Sequence, residues 1–193
     1  MRVHVRQYSA AIIALLFALT LSACGMMQKE QTQAAAEEAV PLSDPEIVAV
    51  LSTLNRGEVT QAEMALQRSG NEDVRDVAQR ILDEHMTMQE RLEEMASRTG
   101  LEPQENELSR SLDRQANKMT EQLAATTGRE FDQAYLQGQT ELHQLALDTV
   151  KTRLLPDAEN PQLREMLQRA APRLEAHRDE AEQSQASLPS ARG

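Results

Sequence analysis

Four stretches of this chain place an apolar residue at every third or fourth position, the period of an α-helix that buries one side. The first runs through Ile47, Leu51, Leu54, Glu58, Ala62 and Ala65, and the second through Val74, Ala78, Ile81, His85, Met88, Leu92 and Met95. The third carries two adjoining stripes, Leu136, His143, Ala146, Val150 and Leu154 beside Phe131, Tyr135, Leu142 and Leu145. The fourth runs Leu163, Leu167, Ala170, Leu174, His177 and Ala181. Stripes of this kind must be covered by other stripes, so the pattern predicts helices packed on helices. Leu, Ala, Met, Gln and Glu favour helix, and only 2% of the residues are aromatic, which disfavours a β-rich fold. The expected class is all-α.

Local signals set the bounds. Ser43 or Asp44 can cap the first helix, with Pro45 and Glu46 in its first turn, and Gly70-Asn71 ends it after about Ser69. The second is expected from about Glu72 to Arg98, before Thr99-Gly100 and Pro103. A shorter amphipathic segment with Leu108, Leu112, Met119 and Leu123 ends at Thr126-Thr127-Gly128 and reads as a crossover. The third long helix is expected from about Arg129 to Leu154, closed by Pro156, and the fourth from Pro161 to about Ser187, with Pro172 as a kink or restart. Residues 44–188 would form the helical domain and 189–193 a disordered tail.

The N-terminus carries Arg2 and Arg6, then an apolar run from Ala10 to Leu21 broken by Thr20. That run is shorter than the ~20 residues of a membrane span and suits a secretory signal. It ends in Leu21-Ser22-Ala23-Cys24, which resembles the lipobox of bacterial lipoprotein precursors. The resemblance implies cleavage after Ala23 and lipid on Cys24, the one cysteine of the chain. Residues 1–23 would be the signal peptide and 24–43 a flexible tether, rich in Ala, Gln and Glu. Gly25, in place of the Asp that retains enteric lipoproteins in the inner membrane, favours an outer-membrane anchor facing the periplasm. The partner expected of the anchor is therefore a membrane, and a protein partner is not specified. A net charge of −11 argues against nucleic acid as a partner.

Every histidine except His4 lies on a helix stripe. At ~1.5 Å per residue, Glu58, His85 and His143 fall about 18, 20 and 21 Å below one end of the bundle, and His177 reaches the same level from the other end. This holds if the crossover returns the chain to the end where it began. One carboxylate and three imidazoles then share a core layer. Buried carboxylate must be paired or shared with a cation, and histidine can accept its hydrogen bond, ligate a metal or become the counter-charge. Glu84 and Glu141 are expected on the solvated helix faces or as outer partners of the neighbouring histidines. Met86 and Met88 beside His85 would suit copper(I), although Met88 belongs to the core stripe and Met86 lies off it.

The chain from about Glu46 to Leu188 resembles a bacterial family known only as a domain of unknown function, often described as outer-membrane protein with a ferritin-like bundle. The residues that carry the likeness are the Asn55-to-Glu58 segment, Glu84-His85, Phe131-Asp132 with Tyr135 and His143, and the Pro-Xaa-Leu-Xaa-Xaa-His stretch from Pro172 to His177. The likeness implies a ferritin-like antiparallel four-helix bundle with a helical crossover between the second and third long helices. It implies no settled activity. Di-iron bundles use Glu-Xaa-Xaa-His on two helices. Here Leu82, Thr140 and Leu174 stand three before the histidines, so bridging carboxylates are missing and iron oxidation is not expected.

The expected function is therefore a membrane-anchored, non-catalytic envelope lipoprotein. It would bind a divalent metal ion or small ligand through Glu58, His85, His143 and His177, with Glu84, Asp132 and Tyr135 as outer partners. The alternative is a structural or interaction module whose polar layer only fixes helix packing. An oxidoreductase or hydrolase with one metal ranks third.

Overall fold

A computed structural model describes residues 40–188, which are helices and connecting loops with no strand among them. Helix α1 spans Asp44–Arg68, α2 Glu72–Thr99, α3 Glu107–Ala124 and α4 Gly128–Thr149. The chain continues through a π-helical turn, Val150–Leu154, and one more turn, Leu155–Asp157, before α5 takes Pro161–Ser187. The expected signal peptide, Cys24, nearly all of the tether and the tail lie outside the described residues. No described helix is long and apolar enough to cross a membrane.

The helix ends follow from local chemistry. Before α1, the Glu46 carboxylate accepts from both the backbone N–H and the hydroxyl of Ser43, at 2.9 and 2.7 Å. Asn71 and Asn160 cap α2 and α5, each side-chain oxygen accepting from the N–H groups two and three residues on. Gly100 closes α2 at φ 70°, a left-handed conformation that glycine adopts without Cβ strain.

Long-range hydrogen bonds fix the direction of each helix. The Gln104 N–H donates to Pro45 O at 3.0 Å and the Asn106 amide to Glu46 O at 3.1 Å, so α3 starts beside the start of α1. Arg68, at the end of α1, donates to Leu123 O at 3.0 Å and to Thr126 O, so α3 finishes beside the end of α1. The chain has thus returned to the end where α2 began. Down α4 it goes back again, and Asp44 accepts from the Glu159 and Asn160 N–H groups, both at 2.9 Å. Helix α1 packs on α2 and α4, and α5 packs on α2 and α4, while α3 lies over α1 and reaches α4. The result is a helical bundle with α3 as a helical return.

Two contacts bring α3 in closely. A Cβ at Gly57 would stand 3.0 Å from Ala116 Cβ, and one at Gly138 would stand 2.5 Å from Met119 Sδ. Glycine at both positions lets the helices approach where any side chain would hold them apart.

One expectation about proline is corrected. Pro156 does not close α4, because the π turn precedes it and the Leu155 N–H reaches back five residues to Val150 O. The widened turn takes up the register in which the proline ring would otherwise meet a carbonyl. Helix α5 runs through Pro172 without restarting.

The apolar core forms two clusters. One joins Ala62, Ala65, Val74, Ile81, Leu123, Phe131 and Tyr135 near the α1–α2 turn. The other joins Ile47, Val50, Leu92, Met95, Val150, Leu154, Leu163 and Leu167 toward the opposite end. Along each long helix the buried polar residue of the stripe falls between the two.

Candidate metal centre

Each long helix turns one ionisable side chain of its stripe into the gap between these clusters, because the apolar residues of the same stripe fix which face is inward. His85 from α2, His143 from α4 and His177 from α5 are 1%, 0% and 2% exposed. Their ring centroids are 5.1 to 5.6 Å apart. One ring nitrogen of each lies within 4.8 Å of the others. Glu58 of α1, also buried, approaches His143 Nδ1 at 3.9 Å.

The partners decide which nitrogens carry protons. His143 Nδ1 lies 2.9 Å from Gln139 O, a carbonyl that can only accept, so Nδ1 is the protonated nitrogen and Nε2 bears the lone pair. His85 Nδ1 lies 3.1 Å from Asn55 Oδ1, while the Asn55 amide nitrogen donates to Gln89 at 3.3 Å. Asn55 therefore presents oxygen to the imidazole, and His85 Nε2 is a bare, buried lone pair with no partner.

His177 sits between incompatible neighbours. Its Nδ1 is 3.2 Å from His143 Nε2, and its Nε2 is 3.3 Å from Glu84 Oε2, although too poorly aligned there to count as a hydrogen bond. A proton on Nδ1 satisfies His143 but turns a lone pair on the carboxylate. A proton on Nε2 satisfies Glu84 but leaves two imidazole lone pairs facing each other. Either way a lone pair is left facing another acceptor, and His85 Nε2 is unpartnered as well.

An added proton is disfavoured here. Burial holds the His143 pKa down to about 4, with the Gln139 carbonyl raising it only in part. Burial lowers His85 well below its usual value, reinforced by His143 and His177. His177 is lowered by burial and by His143, against the pull of Glu84 and Glu180. Burial also raises Glu58 to about 8, with the Gln139 amide opposing. The carboxyl is thus mostly protonated at neutral pH, and its contact with a neutral His143 is no ion pair. In the metal-free protein, protonation takes the place of the pairing that a buried carboxylate would otherwise need.

The remaining expected residues divide. Glu84 is an outer partner of His177, held at 2.8 Å by Arg173. Glu58 stands beside the outer nitrogen of His143, turned from the face where the lone pairs gather, and the group within ligating distance is the three histidines. Tyr135 is fully buried two turns from His143, its hydroxyl unpartnered, with the Glu58 charge adding to burial in raising its pKa. Asp132 is not brought to the layer. Its carboxylate accepts from Ser69 Oγ at 2.6 Å, pinning the start of α4 to the end of α1. Glu141 accepts from Gln137 on an exposed face. Met86 is 47% exposed and Met88 half-buried.

Sequence reasoning missed three polar residues. Asn55 sits one turn before Glu58 and orients His85. Gln61 and Gln139 are both fully buried, with the Gln139 amide donating to Gln61 Oε1 at 3.2 Å. Neither glutamine lies on the listed-by-period apolar stripes, and the signal available was their spacing of three and four from Glu58 and His143.

Residues 29–184 match the family described as domain of unknown function (DUF4142), and the chain belongs to that family. No curated protein matches it. Among solved structures, CopM in the Cu(II)-bound form is similar in fold, with a TM-score of 0.62 and 15% sequence identity. That similarity covers 78% of this chain and 100% of the other.

Proposed function

We propose that this member of the family is a metal-binding lipoprotein of the bacterial envelope. In this reading residues 1–23 are removed, Cys24 carries lipid, and residues 24–43 tether a ferritin-like four-helix domain to the outer membrane on its periplasmic side. His85 Nε2, His143 Nε2 and His177 Nδ1 hold one divalent ion. Asn55, Gln139 O and Glu84 hold the opposite ring nitrogens, as outer partners do at histidine metal sites. The observation that carries the proposal is the polarity conflict at His177, which one cation between the imidazoles resolves. The 3.2 Å between His143 and His177 nitrogens is already close to the roughly 3.3 Å between two nitrogens on one tetrahedral ion.

An all-imidazole set suits zinc or copper(II), and copper(II) binds more tightly to a given nitrogen site. The fold neighbour's bound Cu(II) agrees with that preference. The role is binding or buffering of the ion rather than chemistry on a substrate. Full-length protein purified without an affinity tag should contain close to one equivalent of copper or zinc, or take it up in titration. His143→Gln should remove that equivalent while the helical circular dichroism persists. Repeated absence of metal in folded protein, with no uptake, would instead favour the layer as a purely structural polar core.

A further inference from the structure

Helix α3 covers the seam between α1 and α4, and no described helix covers the matching seam between α2 and α5. Behind that open seam, on the far side of the histidine layer from Phe131 and Tyr135, lies a cavity of about 340 Å³. Its walls are mainly apolar, with Leu54, Leu92, Met95, Val150, Leu167 and Leu174 among them. The cavity has a plain cause. Both aromatic residues of the described core are in the other cluster, and this one is filled with Leu, Val, Ile, Met and Ala alone.

The mouth is richer in arginine than the protein as a whole. The chain carries a net charge of −11, yet Arg91 and Arg98 of α2 and Arg169 and Arg173 of α5 line the cavity and outnumber Glu94 and Glu165 at its edge. Arg91, Arg169 and Arg173 also line an adjoining outer groove of about 640 Å³, together with Arg80, where Glu180 pairs with Arg80 and Glu84 with Arg173. Arg98 and Arg169 meet only Glu94 and Glu165 of their own helices, exposed pairs that exchange readily. Among the described residues Arg91 has no ion-pair partner.

We infer that this cavity binds a single-chain anionic amphiphile, a long-chain carboxylate whose tail lies against the leucines and whose head is held by Arg91 and Arg169. Apolar walls with a few polar groups at one edge are the usual make-up of a small-molecule site. Guanidinium groups match a carboxylate in geometry as well as charge. Asn55, Glu58 and His85 form the inner wall of the cavity, so it abuts the histidine centre, and the two sites are told apart by ligand, since this one requires no metal.

Isothermal titration of the full chain in chelator, below the critical micelle concentration, compares dodecanoate with dodecyltrimethylammonium. The expected result is saturable binding of one dodecanoate and weaker binding of the cation, the reverse of what a net-negative surface gives by charge alone. Combined Arg91→Ala and Arg169→Ala, both at the exposed rim, should weaken dodecanoate about tenfold or more and not weaken the cation. Ala146→Phe, which fills the cavity from α4, should abolish binding while the helical spectrum is kept. The inference is overturned by no saturable dodecanoate binding, by a preference for the cation, or by unchanged affinity in the double arginine variant.

Discussion

His143 and His177 meet across the middle of the bundle with Nε2 and Nδ1 3.2 Å apart, and the carbonyl behind His143 obliges its Nε2 to be a lone pair. The proton on His177 is therefore contested between His143 Nε2 and Glu84, which lies 3.3 Å from its other nitrogen. In the metal-binding reading the carboxylate draws the proton to Nε2 and frees Nδ1 to ligate.

Glu84→Gln tests that relationship. The amide can donate where the carboxylate could only accept, so it favours the tautomer in which Nδ1 is protonated and closed to metal. Affinity for copper(II) or zinc, measured by competition with a chelator of known strength, should fall about 10- to 100-fold with the fold unchanged. Equal affinity would mean that Glu84 has no part in orienting the ring.

The metal-free protein should be most stable near pH 6 to 6.5. His143 has a folded pKa of about 4 against a usual 6.5, so its contribution is complete above 6.5 and is lost as pH falls toward 4, where the unfolded chain takes the proton first. His85 and His177 are shifted in the same direction. Glu58 is raised from 4.5 to about 8, so the folded state keeps a proton that the unfolded state releases, and stability is lost as pH rises between those values. Glu58→Gln should remove the alkaline loss, raising the unfolding free energy from denaturant titration at pH 8.5 by on the order of a few kcal/mol and changing it little at pH 5. A parallel pH profile for wild type and variant would show that Glu58 is ionised in the fold.

Gly57 should be intolerant of bulk. Valine there has no room beside Ala116 and must push α3 from α1, at a cost of about 1–3 kcal/mol. In a double-mutant cycle, Ala116→Gly should cost less in the Gly57→Val background than in wild type. Additive costs would place the strain elsewhere.

In the proposed lipoprotein reading the anchor is lipid on Cys24, which Cys24→Ser tests directly. The variant should lose the acyl mass from its N-terminus and accumulate as uncleaved precursor. Wild-type protein without that mass would contradict the lipoprotein reading.

Much of the fold was legible because period and caps are local. The stripe through His85 and Ile81 states which face of α2 is inward, and Asn71 and Gly100 state where it begins and ends. The level shared by His85, His143 and His177 followed from the rise per residue once α3 was read as a return. Other features depend on side-chain direction rather than position. Asp132 adjoins Phe131 in sequence, but its carboxylate turns along the helix to Ser69 and away from the histidines. The charge state of Glu58 depends on the depth of its burial and on Gln139 from another helix. The π turn at Val150–Leu154 resolves the conflict at Pro156, and a sequence displays only the conflict.

The central claim, that three imidazoles hold one ion, is tested most directly by X-ray absorption on the full chain loaded with one equivalent of copper(II), and in parallel with zinc. The account predicts three imidazole nitrogens at about 2.0–2.1 Å. It also predicts loss of one imidazole scatterer in whichever of His85→Gln, His143→Gln or His177→Gln retains metal. A shell of oxygen ligands without imidazole, or a spectrum unchanged in all three variants, would contradict it.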